Sequence, residues 1–189
     1  MSHGLGNFDA YRLLGSTNAR YYSSPNNGVA LTNSTYVANT LYLMPFLTPV
    51  AIEILAAQLN ITTAVSSSTA EIGIYADNGQ VTPGNLIADW GSLSTASTGV
   101  VQATSLTTKL PPGLYWLAVN PSGAIHMESF TTNNVLPILG SSSGVPASAT
   151  NAVGYTASHT AGALPSTPGT LTVVTAPPLP FLALLLAGL

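Results

Sequence analysis

The sequence predicts an all-β fold, an antiparallel β-sandwich or jelly-roll-like single domain with extended N- and C-terminal arms. Three observations carry this. Short apolar runs, several of them alternating, recur at intervals of roughly ten residues. Turn signals stand between them, among them Ser24-Pro25-Asn26-Asn27-Gly28, Asp77-Asn78-Gly79, Pro83-Gly84 and Pro111-Pro112-Gly113. No long amphipathic helix, heptad or long repeat competes with them.

Residues 1–36 read as the N-terminal arm, rich in Gly, Asn, Ser and Tyr, with Arg20-Tyr21-Tyr22 as its strand-like patch. The sandwich core is placed at 37–139. Thr40 to Phe46 reads as a strand closed by Pro45. In Val50 to Thr62 the helix formers Glu53 to Leu59 compete with strand. Ile52 and Ile54, followed by Leu59 and Ile61, instead fit two alternating runs with a bulge at Ala56-Ala57. Strand is preferred. Ala70 to Tyr75 alternates, with Ile72 and Ile74 on one face. Leu86 to Trp90 and Gly99 to Thr104 with Leu106 are further short strands. Leu114-Tyr115-Trp116-Leu117-Ala118-Val119 is a strand expected to be buried on both faces. Ala124 to Phe130 reads as its continuation beyond Pro121-Ser122-Gly123.

Residues 140–189 form a loop-rich segment, with a strand at Leu171 to Val174 and an apolar ending from Pro177 to Leu186. That ending either completes the sandwich or docks on a neighbouring subunit. As a free tail it would promote aggregation.

Composition narrows the partners. The chain has 189 residues, 46% hydrophobic but only 5% charged, against about 25% charged in a typical soluble domain. Apolar content at this level with a net charge of −3 describes a folding chain, not a disordered one. Arg12, Arg20 and Lys109 are its three basic residues, too few for a phosphate-binding cluster or a polybasic membrane contact. So bare a surface is poorly protected against self-association, which points to subunit contacts. There is no cysteine, hence no disulfide or thiolate chemistry. The N-terminus lacks the basic and apolar regions of a signal peptide. The apolar run Leu179 to Leu189 is interrupted and falls short of the ~20 residues that span a bilayer. Synthesis in the cytoplasm is expected.

The residues offer little catalytic chemistry. His3, His126 and His159 are far apart and in no metal-type spacing. Paired acids can hydrolyse glycosides. Here Asp77 sits in a turn, and Glu53, Glu71, Asp89 and Glu128, on or beside strands, read as isolated surface acids or hydrogen-bonded ones and not as a catalytic pair. No GxSxG elbow, GxGxxG or phosphate loop is present, and Asp77-Asn78-Gly79 is a hairpin turn rather than a calcium loop. No catalytic, cofactor-binding or metal-binding residue is assigned, no cofactor is expected, and the chain is expected not to be an enzyme. Exposed aromatics make sugar platforms, and Tyr21, Tyr22, Tyr36, Tyr42, Trp90, Tyr115 and Trp116 are the candidates. Packing in the core or an interface is the favoured reading of each.

Several segments together resemble a pattern in virion proteins of tailed bacteriophages. Glu71-Ile72-Gly73-Ile74-Tyr75 runs into Ala76-Asp77-Asn78-Gly79-Gln80 and then Pro83-Gly84-Asn85-Leu86-Ile87. Leu110-Pro111-Pro112-Gly113-Leu114-Tyr115-Trp116-Leu117-Ala118-Val119 follows. Tyr155-Thr156, Gly162-Ala163-Leu164-Pro165 and Pro180-Phe181-Leu182-Ala183-Leu184 match in order. The similarity spans roughly residues 37 to 189. Leu185-Leu186-Ala187-Gly188-Leu189 departs from it, because the closing strand there usually continues into a basic residue.

The resemblance implies a virion β-sandwich module without a catalytic motif, and, by analogy, a homotrimer. A capsid decoration or cement protein, binding between shell subunits, needs little beyond a sandwich and clamping arms, so it leads. A tail-fibre, receptor-binding or carbohydrate-binding module is the alternative, in which a glycan is bound. The expected partners are copies of the chain and the major capsid protein or other virion proteins, with no nucleic acid and no membrane. The expected location is the virion, after synthesis in the host cytoplasm. The candidate interface residues are Tyr21, Tyr22, Phe181, Leu182, Leu184, Leu185 and Leu186. If the closing segment is an arm, deleting it weakens assembly more than folding.

Overall fold

The computed structural model describes residues 20–22, 31–130, 139, 152–175 and 179–188. In chain order its strands are β1 (Arg20–Tyr22), β2 (Leu31–Thr35), β3 (Thr40–Thr48), β4 (Ile52–Thr63), β5 (Thr69–Asp77), β6 (Pro83–Ser94) and β7 (Gly99–Ala103). They continue with β8 (Thr108–Leu110), β9 (Gly113–Pro121), β10 (His126–Phe130), β11 (Gly154–Ser158), β12 (Thr172–Val174) and β13 (Ala183–Gly188). Among the described residues there is no helix. The strands form two antiparallel sheets, as the all-β sandwich expectation requires. The larger has seven strands in the order β1-β13-β4-β10-β2, with β7 and β8 also on β4; the smaller has six, β12-β11-β3-β9-β5-β6.

β4 organises the larger sheet. Ile52, Ile54, Ala57, Leu59 and Ile61 enter the core, and the inward phase slips at Ala56-Ala57, both buried. The ladder to β13 slips there too: Leu185 lies opposite Ala56 and Leu186 opposite Ile54. An extra residue on one strand restores alternation after a break in period, so β4 stays one strand in spite of its helix formers. Pairing on both sides supplies what local propensity does not: β13 and β10 bond one edge, β8 and β7 the other.

The inter-sheet core meets β4 with Tyr42, Met44 and Phe46 of β3, Ile72 and Ile74 of β5, Leu117 and Val119 of β9, and Leu184 and Leu186 of β13. The smaller sheet is also buried on its outer face, where Leu41, Leu43, Tyr75, Trp116, Ala118, Ala157 and Leu164 cluster. This accounts for the unbroken apolar run of β9.

Two expectations are corrected, and the alternative left open for the apolar ending is decided. Residues 31–36, assigned to the arm, belong to the sandwich: β2 pairs along β10, and Tyr36 is fully buried, its ring edge-on to Tyr42 with centroids 5.0 Å apart. β10 does not continue β9. The Pro121-Ser122-Gly123 turn carries the chain into the other sheet, where β10 pairs β4 and β2. The apolar ending is a core strand of its own chain, since β13 pairs β4 and buries Leu184 and Leu186. The loop-rich readings of 1–19, 23–30 and 140–151, with His3 and Arg12, lie outside the described residues.

Candidate functional site

The outer face of the smaller sheet brings the recurring motifs together. At the β5–β6 turn Asp77 Oδ2 accepts the Gly79 N–H at 2.8 Å and the Val81 N–H at 3.4 Å. These bonds hold a turn in which both residues have positive φ, 86° and 59°, the backbone an Asp-Asn-Gly turn favours. The other carboxylate oxygen, Oδ1, accepts the Trp116 indole N–H at 3.0 Å. The Trp116 and Tyr155 rings lie 5.3 Å apart, and the Tyr155 hydroxyl donates to Val81 O at 3.4 Å. Partial burial, then the Asp77 charge, push the Tyr155 hydroxyl up from its ordinary pKa. With its oxygens so engaged, Asp77 acts as a turn cap.

A strap, residues 159–171, crosses this face. Its anchors are polar: Ala161 N–H to Asn39 Oδ1 at 2.9 Å, Leu164 N–H to Asp89 Oδ2 at 2.9 Å, Tyr75 O–H to Pro165 O and Leu86 N–H to Ser166 O, both at 2.8 Å. Leu164 is buried over Gly73, where a Cβ would run into the leucine side chain and lie 2.5 Å from Ala88 O. Gly73 is thus the gap the strap fills.

Beneath the strap lies a polar cluster. Along β5, Ile72 and Ile74 point to the core, so Glu71 points outward. It stands opposite Asn120 of β9 and opposite Ser92 of β6. Near it lies Asp89, whose own carboxylate is exposed and accepts the Gly91 and Leu164 N–H groups at 2.9 Å each; burial first, and then the Asp89 charge, hold the Glu71 carboxyl above the usual carboxylate pKa range. Asn120 is fully buried, and neither its Oδ1 nor its Nδ2 has a hydrogen-bond partner.

Glu71 and Asp89 are therefore neighbours and not isolated acids. They share a hairpin whose ladder slips three times between the turn and Glu71, so that 71 stands beside 92 and 73 beside 89.

The interface residues have separate fates. Leu182, Leu184 and Leu186 are buried in the chain's own core: alternation along β13 turns Leu184 and Leu186 toward the other sheet, and Leu182, just before the strand, packs with them. They offer no free docking surface, which corrects their assignment. Leu185 is half-buried on the other face. The Tyr21 and Tyr22 backbones pair with Leu185 and Leu184, so the two ends singled out separately are neighbours in one sheet. Phe181 is half-buried, its ring 5.4 Å from Phe130. With Val100 and Glu128 it lines a shallow cavity of about 120 Å³.

The aromatic candidates whose side chains are described do not make a platform. Tyr36, Tyr42, Tyr115 and Trp116 are buried, and Trp90 is half-buried with its indole N–H donated to Thr108 Oγ1 at 3.0 Å. His126 bonds Thr35 Oγ1 in the larger sheet, while His159 bonds Ala163 O within the strap, so these two do not converge. Among the described residues no group of three or more His, Asp or Glu is placed to hold a metal. No family model and no curated protein matches the chain.

Proposed function

We propose that this chain is a non-enzymatic virion structural protein, a capsid decoration or cement protein that assembles with copies of itself and binds between shell subunits. The observation that carries the reading is the character of two outermost strands. β2 (Leu-Thr-Asn-Ser-Thr) ends the larger sheet and β12 (Thr-Val-Val) ends the smaller. Neither has a charged residue or a proline, the devices by which free edges are kept from pairing with other chains. Leu31 on β2 is 37% exposed and Val173 on β12 is 47% exposed. In a chain with only 5% charged residues, such edges suit addition of a strand from a neighbouring subunit.

The order of the segments around Asp77 and Trp116, which resembles that of tailed-phage virion proteins, gives the class of assembly. A trimer is the expected oligomer by the same analogy, and the shell is the expected surface.

The experiment is light scattering of the purified protein, followed by co-sedimentation with the assembled shell of its source particle. The expected result is a defined oligomer that binds the shell saturably. A monomer indifferent to the shell, with saturable binding on a glycan array, would replace this reading with a receptor-binding module.

A further inference from the structure

We propose that Glu71, Asp89 and Asn120 form a binding site for a hard divalent cation of the calcium class, on the outer face of the smaller sheet beneath the 159–171 strap. Two independent observations meet there. The first is a pair of carboxyl groups set close together by the β5–β6 ladder: Glu71, only 9% exposed, and Asp89, which is exposed and opens the site to solvent. Buried carboxylates are ordinarily paired with a cation or coordinate a metal. The basic residues that the structure describes, Arg20 in β1 and Lys109 in β8, both belong to the other sheet.

The second observation is Asn120. It is 0% exposed, and both ends of its amide lack a hydrogen-bond partner, a costly arrangement for a buried polar group. Leu117 and Val119 of β9 enter the core, so alternation turns Asn120 outward, and its register partner is Glu71. Directly opposed residues of an antiparallel pair have Cβ atoms about 5 Å apart. The amide oxygen and the carboxyl group are therefore side by side on one face.

Carboxylate and amide oxygens are the ligands calcium takes, whereas magnesium prefers to keep its waters. The hydroxyl of Ser92, opposite Glu71 on the exposed rim of β6, adds an oxygen toward solvent. The strap closes the other side, because Asp89 Oδ2 also holds the Leu164 N–H. A cation would unite β5, β6, β9 and the strap.

The test is thermal unfolding of the full chain at near-neutral pH after chelator treatment, with calcium and magnesium titrated separately, and calorimetry for stoichiometry. Calcium at about a hundred times its Kd should raise Tm by roughly 5–10 °C, with one ion bound per chain and a weaker response to magnesium. Asn120→Ala should abolish the response, and since it also removes buried packing, Glu71→Gln is the second variant. It should fold with an ion-free Tm at or above that of the unsubstituted chain and lose the calcium response. A Tm unmoved by calcium up to ~10 mM, beyond the weakest calcium modules, overturns the proposal. So does a Glu71→Gln protein that keeps the full response.

Discussion

The indole N–H of Trp116 donates to Asp77 Oδ1 across 3.0 Å and 39 positions of sequence. The bond ties the tip of the β5–β6 hairpin to the middle of the sheet. Trp116 is fully buried, so its N–H has little recourse to water if the acceptor goes. Asp77→Ala should cost about 2–4 kcal/mol, since the indole and two turn amides lose their acceptor together. Asp77→Asn keeps an amide oxygen and should cost less than half of that. Urea unfolding followed by tryptophan fluorescence would rank the two.

The closing strand belongs to folding before it belongs to any assembly. Leu184 is fully buried and Leu185 only half-buried, one on each face of β13. Leu184→Ala should lose about 2–5 kcal/mol and Leu185→Ala about 1 kcal/mol or less. Removing residues 183–189 should leave a chain without cooperative unfolding. Similar losses at the two leucines in denaturant titrations would mean that β13 lies on its neighbours without entering the core.

Alkali should open the β2–β3 end of the core. Burial raises the Tyr36 hydroxyl far above its ordinary pKa of 10.0, and burial raises Tyr42 too. A group raised in the folded state stabilises fully below its unfolded pKa, and that contribution is lost as pH rises toward the folded one. Stability should therefore be flat with respect to these tyrosines up to about pH 10 and fall steeply above it. Tyr36→Phe should flatten the fall, which pH-dependent thermal melts would register.

Charging the uncharged edges separates assembly from folding. Val173→Lys and Asn33→Lys sit on exposed positions of β12 and β2, so each should change stability by no more than about 0.5 kcal/mol. If the edges carry subunit contacts, either substitution should shift the scattering mass toward monomer or reduce shell binding at least tenfold. Unaltered assembly by both would put the contacts on some other surface.

The strap needs the glycine beneath it. Gly73→Ala brings a Cβ against Leu164 and the Ala88 carbonyl oxygen, an overpacking that should cost about 1–3 kcal/mol. Leu164→Ala in the same chain should recover part of the loss, whereas in the native background it should destabilise. Thermal melts of the double-mutant cycle test this coupling.

What was legible in the sequence followed from local pattern. The alternation of Ile52, Ile54, Leu59 and Ile61 marked β4 and its bulge, and the continuous run Leu114 to Val119 marked a strand with both faces covered. Partner choice was hidden, because it is decided by sheet packing at long range. Nothing local in His126 to Phe130 says that this segment leaves the sheet of β9. The polar cluster lay between these extremes. Glu71 and Asp89 share one hairpin, so their nearness was legible although three register shifts hide the exact pairing, but Asn120 entered only through the β5–β9 ladder, which spans about fifty positions. Tyr36 was placed in the arm because the segment before it is rich in Gly, Asn, Ser and Tyr without a sustained period; with Thr35 and Val37 exposed on either side, a single buried ring leaves no periodicity to detect.

The place of β4 at the centre of the larger sheet sets a timetable for synthesis. One of its edges is closed by residues 99–110, the other by 126–127 and 183–188. While the nascent chain is still being threaded out of the ribosome, the second edge stays largely open, with Ile54 and Ala57 waiting for partners made more than a hundred residues later. Pairing at such range is slow and exposes intermediates to neighbours. Copies translated on one message should therefore be most prone to tangle in the interval before Gly188 emerges, and slower elongation across β4 would lengthen that interval without hastening its end.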